Sequence, residues 1–129
     1  MATQFDLASK LTNYREVQTF EPFSMSGSTW ATSATVPKDC IVLVMFNVPF
    51  NIQNNVEGYY FGWGYVRLWQ NNELIMQPVF EGARKLDTNI GLTAILNCSA
   101  GDVIKVEIVE GSQPGSWYLR GTTFFVGEV

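Results

Sequence analysis

The chain has 129 residues, which fits one domain able to bury a core of its own. Its net charge of −4 and its scattered Lys and Arg residues disfavour phosphate backbones, so no nucleic-acid partner is expected. The absence of histidine excludes Ser-His-Asp and Cys-His sites and removes the commonest transition-metal ligand. With no phosphate-binding glycine loop and no suitable carboxylate pair, we expect no enzyme, no cofactor and no metal site.

Residues 1–20 are interpreted as an N-terminal arm that precedes a single domain over residues 21–129. Four apolar residues of the arm would lie along one side of a short helix: Phe5, Leu7, Leu11 and Tyr14. Because short apolar runs fit helix and strand equally well, an extra strand leading into residues 20–25 is the alternative.

Neither a secretion signal nor a membrane span is predicted. The first residues include an early acidic side chain and no apolar core segment. The longest apolar run, residues 40–46, is too short to cross a bilayer. We therefore expect synthesis in a cytoplasm and no membrane insertion.

From about residue 29 onward, short strands alternate with turn residues. The predicted strands are residues 31–36, 40–48, 59–69, 73–80, 90–98, 103–110 and 122–129, and the predicted loops are 49–58, 82–89 and 111–116. Repeated antiparallel strands without a helical period predict an all-β sandwich or barrel. For about eight strands, an antiparallel jelly-roll sandwich is the natural candidate.

The strand over residues 40–48 is apolar on both faces. One face of an antiparallel sheet normally meets water, so such a strand needs a second sheet on one side and another chain, or a covering loop, on the other. Val44 and Phe46 are predicted to lie at that contact with another chain.

The strand over residues 59–69 places aromatic side chains on one face and small or aliphatic ones on the other. The aromatic face contains Tyr59, Phe61, Trp63, Tyr65 and Trp69. These rings are interpreted as filling the core or a subunit interface, with stacking on sugar rings as the alternative. Trp117 and Tyr118 follow a predicted loop and are the preferred candidates for contact with a ligand or partner.

Two further features have a structural and a chemical interpretation. Cys40 and Cys98 are expected to be reduced and mostly buried, with a bridge as the alternative that side-by-side strands would permit. Asp102 follows Gly101 immediately before a strand. A lone carboxylate has no partner for catalysis, and Asp favours turns. Asp102 is therefore predicted to have a structural role in a turn and no catalytic role.

Four segments within residues 31–129 have a further feature in common: TVPKDCIVLVMFNV, YVRLWQNNELI, LTAILNCSAGDVIKVEIVEG and TTFFVGEV. In this order along the chain they resemble motifs of the C1q and tumour-necrosis-factor family. Cys40 stands where that family usually has glycine, Asn71-Asn72 replaces its Asn-Gly, and the spacing in the last segment is shifted by one residue. The resemblance implies a trimer in which the inner sheets of three jelly rolls pack around a threefold axis. The predicted trimer interface is Val44, Phe46, Tyr59, Phe61, Trp63, Tyr65 and Phe124.

A signal-less trimer with an arm and no catalytic apparatus suits assembly into a larger particle. The first hypothesis is therefore a virion structural protein, of a bacteriophage in particular: a trimeric capsid-decoration protein whose arm binds the major capsid protein or another virion protein. The alternatives are a receptor-binding fibre or tail-tip head that recognises surface glycans, and a C1q-like recognition module.

Overall fold

The computed structural model describes residues 13–25, 29–53, 61–83, 88–110 and 116–129, which form strands and connecting turns with no helix. The strands are β1 (Arg15–Thr19), β2 (Phe23–Met25), β3 (Thr29–Thr35), β4 (Cys40–Gln53), β5 (Phe61–Gln70), β6 (Glu73–Met76), β7 (Val79–Ala83), β8 (Thr88–Cys98), β9 (Val103–Glu110), β10 (Ser116–Leu119) and β11 (Thr123–Glu128). The prediction of an all-β antiparallel sandwich is confirmed.

The strands form two antiparallel sheets. In sheet A, β4 pairs with β8 along one edge and with β11 and then β10 along the other, and β1 and β2 flank β11 and β10 respectively. In sheet B, β3 and β5 flank β9, while β6 and β7 share the far edge of β5. The architecture is jelly-roll-like, with one core between the sheets.

The core consists of the alternate residues of each long strand that face the opposite sheet. Its fully buried side chains include Val36, Val42, Val44, Phe46, Val48, Phe50, Val66, Leu68, Ile104, Val106, Ile108, Trp117, Leu119, Phe124 and Val126. The prediction that Val44, Phe46 and Phe124 face another subunit is wrong, because each is covered within a single chain. A strand that is apolar on both faces does not reveal which face is inward.

Residues 15–19 belong to the sheet and not to an arm. β1 pairs with β11 from Arg15 opposite Gly127 to Thr19 opposite Thr123. The alternative of an extra strand is therefore correct here, and the boundary predicted at residue 20 is wrong. Tyr14 packs against the core, whereas Phe5, Leu7 and Leu11 lie outside the described residues.

β4 continues past Pro49, where the sequence predicted a loop. The Pro49 carbonyl accepts a hydrogen bond from the Arg120 backbone N–H at 2.7 Å, so the proline nitrogen faces the same edge of the strand. On this edge, Pro49 lies between the residues of β4 that pair with β10 and the residues that pair with β11. Because no ladder bond is needed there, a residue without an N–H is tolerated inside a central strand.

Turn residues connect strands as the sequence indicated. Asn71 has a φ of 56° in the β5–β6 turn, which confirms that an Asn supplies the left-handed conformation of this hairpin. Gly101 has a φ of 92° in the β8–β9 turn, a conformation that glycine adopts without steric cost.

Candidate functional site

The described residues contain no group of three or more His, Cys, Asp or Glu side chains that could hold a metal ion. The same part of the chain has no helix long and apolar enough to cross a membrane. What the structure offers instead is two chemically different outer surfaces, one on each sheet.

Asp102 has a structural role in the turn between β8 and β9, as predicted. Its carboxylate accepts hydrogen bonds from the Ser99 backbone N–H at 2.9 Å, from Gln70 Nε2 at 3.1 Å and from Asn71 Nδ2 at 3.1 Å. The bond from Ser99, followed by those from Asn71 and Gln70, lowers the pKa of Asp102. The carboxylate therefore ties the β8–β9 turn to the β5–β6 turn.

Cys40 and Cys98 lie directly opposite each other on β4 and β8, and both are free thiols. Burial is the main cause that raises the pKa of both thiols, and the pKa of Cys98 reaches about 11. Since the thiolate is the reactive form, neither cysteine is placed as a nucleophile.

Six neighbouring side chains on the outer surface of sheet A, here called the apolar face, are apolar: Val17, Ile41, Leu43, Met45, Ile95 and Phe125. The exposed polar residues Asn47, Thr93 and Asn97 lie on the same surface. Four of the apolar side chains remain largely in solvent: Val17 is 53% exposed, Ile41 50%, Met45 41% and Ile95 68%. They are neighbours across four strands, since Val17, Phe125 and Met45 form one row and Leu43 is opposite Ile95. A contiguous exposed apolar patch of this kind marks an interaction site.

A charge lies at the margin of the apolar face. The Arg15 guanidinium lies 5.9 Å from the centre of the Phe125 ring. The ion pair of Lys38 with Glu128, at 2.9 Å, is on the other side of the sheet, because Glu128 is opposite the buried Val42. The rest of the patch carries aliphatic side chains that water cannot solvate favourably, so covering it would lower the free energy of the protein.

The outer surface of sheet B, here called the aromatic face, has a different chemistry. Trp63, Tyr65, Arg67 and Trp69 project from β5, and Lys105 and Glu107 lie on the adjacent β9. The rings of Trp63 and Tyr65 meet edge to face with centroids 5.5 Å apart. Arg67 lies 5.6 Å from the centre of the Tyr65 ring, and Lys105 lies 5.3 Å from the centre of the Trp69 ring. Charged groups therefore lie beside the rings of Tyr65 and Trp69, while the rings of Trp63 and Tyr65 contact each other.

The alternation predicted for residues 59–69 is confirmed within the described part of β5. Val66 and Leu68 are in the core, while Trp63 is 39% exposed and Tyr65 and Trp69 are partly exposed. Tyr59 lies outside the described residues, and Phe61 belongs to β5. The aromatic residues are thus on a surface of the subunit and not in its core; whether they contact a second subunit stays a prediction.

Trp117 is not placed to touch a ligand, and that prediction is wrong. Its side chain is fully buried and packs with Phe50 and Phe80, at ring distances of 5.8 and 5.3 Å. Strand β10, which the sequence did not reveal, carries it inward. Tyr118 points the other way and is partly exposed, with the Arg120 guanidinium 5.8 Å from the centre of its ring.

Sequence reasoning identified the correct strand for the contact surface but missed the residues that form it. Ile41, Leu43 and Met45 alternate with the buried Val42 and Val44. The polar side chain of Asn47 is the feature of the sequence that could have identified them. Asn47 is two residues from Met45 and therefore lies on the same face, and a polar side chain indicates the outward face of a strand.

No family model and no curated protein matches the chain. The resemblance to the C1q and tumour-necrosis-factor family is therefore supported only at the level of a jelly-roll-like fold.

Similarity is found among solved structures, and several of these are structures of infectious bursal disease virus. The structure of the infectious bursal disease virus Gx strain aligns with a TM-score of 0.59 and 15% identity over 89% of this chain and 33% of that chain. The VP2 subviral particle of the same virus gives a TM-score of 0.57 and 14% identity over 88% of this chain and 33% of that one.

A protein of another kind shares the fold. Dimeric latent PorU from Porphyromonas gingivalis aligns with a TM-score of 0.54 and 11% identity over 90% of this chain and 13% of that chain. The chain thus spans about a third of the viral proteins and a smaller part of PorU. At these identities the similarity establishes the fold alone.

Proposed function

We propose that the chain is a virion structural protein that acts as a homo-oligomer through its apolar face. The observation that carries the proposal is the exposure of Val17, Ile41, Met45 and Ile95 as one patch on sheet A. Such a surface is unfavourable in an isolated subunit and favourable once a second apolar surface covers it. The shared fold with viral capsid proteins supports placing this assembly in a virus particle.

The oligomer in this proposal is a trimer that is made in the host cytoplasm, and its place is the outside of a capsid. The trimer follows from the resemblance to C1q and tumour-necrosis-factor jelly rolls. The apolar face takes the role that the sequence had assigned to Val44 and Phe46, because it lies on the same strand and faces outward.

Attachment to the shell is assigned to the residues before β1, which contain Phe5, Leu7 and Leu11. Tyr14 marks where this segment meets the sheet, because its carbonyl accepts a hydrogen bond from the Glu128 backbone N–H at 2.8 Å. A chain lacking residues 1–12 would keep that anchor and all of β1.

In this proposal the protein acts by binding and not by catalysis. Asp102, the carboxylate that the sequence singled out, is occupied by three hydrogen-bond donors. Cys98 has a pKa far above neutrality. Neither group is prepared for acid–base or nucleophilic chemistry.

Immunoelectron microscopy of virus particles from cells that carry the gene tests the proposal. Antibodies against the folded chain are expected to label the surface of intact particles. Purified shells are expected to bind the full chain at least about tenfold more tightly than a chain lacking residues 1–12. Particles without label, or equal binding by both chains, would contradict the virion role or the role of the arm, respectively.

A further inference from the structure

The geometry points to the aromatic face of sheet B as a binding site for a neutral oligosaccharide. This inference goes beyond the structural role proposed above and depends on a different sheet. The face is built from Trp63, Tyr65 and Trp69 on β5 together with the charged side chains between and beside them.

Trp63 offers the ring surface on which a sugar would stack. Its side chain is 39% exposed, more than any other aromatic side chain whose burial the structure describes. Tyr65 supports it from the side with an interplanar angle of 88°. Indole rings combine a broad apolar surface with a polar edge, which suits the apolar C–H face and the hydroxyl rim of a pyranose ring.

Hydrogen-bonding groups surround the rings at fixed positions. The Trp69 indole N–H donates to the Glu107 carboxylate, and Arg67 Nε donates to Gln77 Oε1 at 2.7 Å. Glu81 is exposed on β7 directly opposite Trp63. Because several of these side chains already hold one another, little conformational entropy would be lost when they engage hydroxyl groups.

The charge balance of the face selects a neutral ligand. Arg67 and Lys105 supply two positive charges, and Glu81 and Glu107 supply two negative charges. A polyanion such as nucleic acid or a sulfated glycan would meet both carboxylates, and Glu107 lies directly opposite Arg67. Arg67 separates Tyr65 from Trp69 along β5, while the exposed Val79 and Leu74 lie opposite Tyr65 and Trp69 and add aliphatic surface beside the rings.

The length of the face favours an oligosaccharide over a monosaccharide. Trp63 and Trp69 are six residues apart along β5, or about 20 Å in an extended strand. Both rings lie on the same side because their spacing is even. This surface is on the opposite side of the sandwich from the apolar face, so assembly through sheet A would leave it accessible.

The test is an array of neutral, sialylated and sulfated oligosaccharides probed with the full chain, followed by calorimetric titration of the neutral oligosaccharide that binds best. Wild type is expected to bind a neutral oligosaccharide, and Trp63→Ala to weaken binding about tenfold or more. Trp63→Phe is expected to retain part of the affinity. Tyr118→Ala, which removes a partly exposed ring from sheet A, is the matched control and is expected to change the affinity by less than about twofold.

Circular dichroism and mass in solution would show that each variant keeps its fold and oligomeric state. The inference is overturned if no neutral oligosaccharide binds, if only sulfated or sialylated ones do, or if Trp63→Ala binds like wild type. It is equally overturned if Tyr118→Ala, and not Trp63→Ala, abolishes binding. None of these results bears on labelling of virus particles, so this inference and the virion role fail independently.

Discussion

The indole ring of Trp117 occupies the space that a side chain at Gly64 would need. A Cβ atom at Gly64 would lie 2.8 Å from Trp117 Cη2 and 3.0 Å from Phe80 Cζ, and it would also overlap the Val109 carbonyl oxygen. Trp117 is on sheet A and Gly64 is on sheet B. The glycine inside β5 therefore exists so that the two sheets can approach closely at this point.

Gly64→Ala is expected to lower the free energy of unfolding by about 1–3 kcal/mol, because the added methyl group would overlap the Val109 carbonyl oxygen and overpack the contact with Trp117. Gly91→Ala on β8 is the control, since a Cβ there would meet only the Phe46 carbonyl oxygen, at 3.4 Å, and Asn47 Oδ1, at 3.8 Å. It is expected to leave stability unchanged or slightly raised. Urea titrations measure the unfolding midpoints of the two variants. Equal midpoints would show that the space around Gly64 can accept a methyl group.

Asp102→Asn is expected to destabilise the protein in a pH-dependent manner. The hydrogen bond from Ser99, and then those from Asn71 and Gln70, lower the pKa of Asp102 in the folded state. Because the pKa of Asp102 is lower in the folded state than in the unfolded state, where it is about 3.9, the charged carboxylate stabilises the folded protein at pH values above that value. This stabilisation is lost as the pH falls through the folded-state pKa. The stability difference between wild type and Asp102→Asn should be constant near neutrality and shrink below about pH 4.

Urea midpoints of both proteins over this pH range measure that difference. The Gly91→Ala protein, which keeps Asp102, should follow wild type throughout. A difference that stays constant down to the lowest accessible pH would show that the carboxylate is not stabilised in its charged form.

The two thiols are expected to react slowly in the folded protein. With a pKa of about 11 in place of the ordinary 9.0, Cys98 has about one hundredth of the usual thiolate fraction at pH 8. Cys40 is less buried than Cys98 and should react first. Reaction with a chromogenic disulfide reagent measures the two rates separately, because Cys98→Ser leaves only the Cys40 thiol and Cys40→Ser leaves only the Cys98 thiol. Rapid labelling of Cys98 without denaturant would contradict the burial of its side chain in the core.

Much of the fold is predictable from the sequence because most strands show a clear alternation or clear ends. β9 matches its prediction at Val103–Glu110, where the buried Ile104, Val106 and Ile108 alternate with polar residues. β4 illustrates the limit. Its apolar residues on both faces establish that it is central, and the only polar side chain within residues 40–48, Asn47, is what indicates that Met45 and not Val44 faces outward.

The candidate site was partly predictable for the same reason. The aromatic face follows from the period of β5, in which Gly64, Val66 and Leu68 alternate with Trp63, Tyr65 and Trp69. Trp117 could not be assigned, because β10 has only four residues and its pairing with β4 involves distant parts of the chain. The apolar face combines four strands, so no single segment reveals it.

Val44 and Met45 are adjacent residues on opposite faces of β4, and they give a matched pair of substitutions. Val44→Asp would bury a charge in the core and is expected to cost several kcal/mol, enough to unfold the domain. Met45→Asp would place its charge on the apolar face and is expected to leave a folded subunit. Circular dichroism and thermal unfolding check both; a folded Val44→Asp protein would show that the inward face has been misassigned.

The central claim is that the apolar face of sheet A is covered by other copies of the chain, and the mass in solution at low micromolar concentration tests it most directly. Light scattering of wild type is expected to give three times the subunit mass of 14.5 kDa. The Met45→Asp, Ile95→Asp double variant is expected to give a folded protein of 14.5 kDa. Val79→Asp, which charges a residue 60% exposed on sheet B, is expected to retain the wild-type mass. A wild-type mass of 14.5 kDa, or a double variant that still assembles, would contradict the claim.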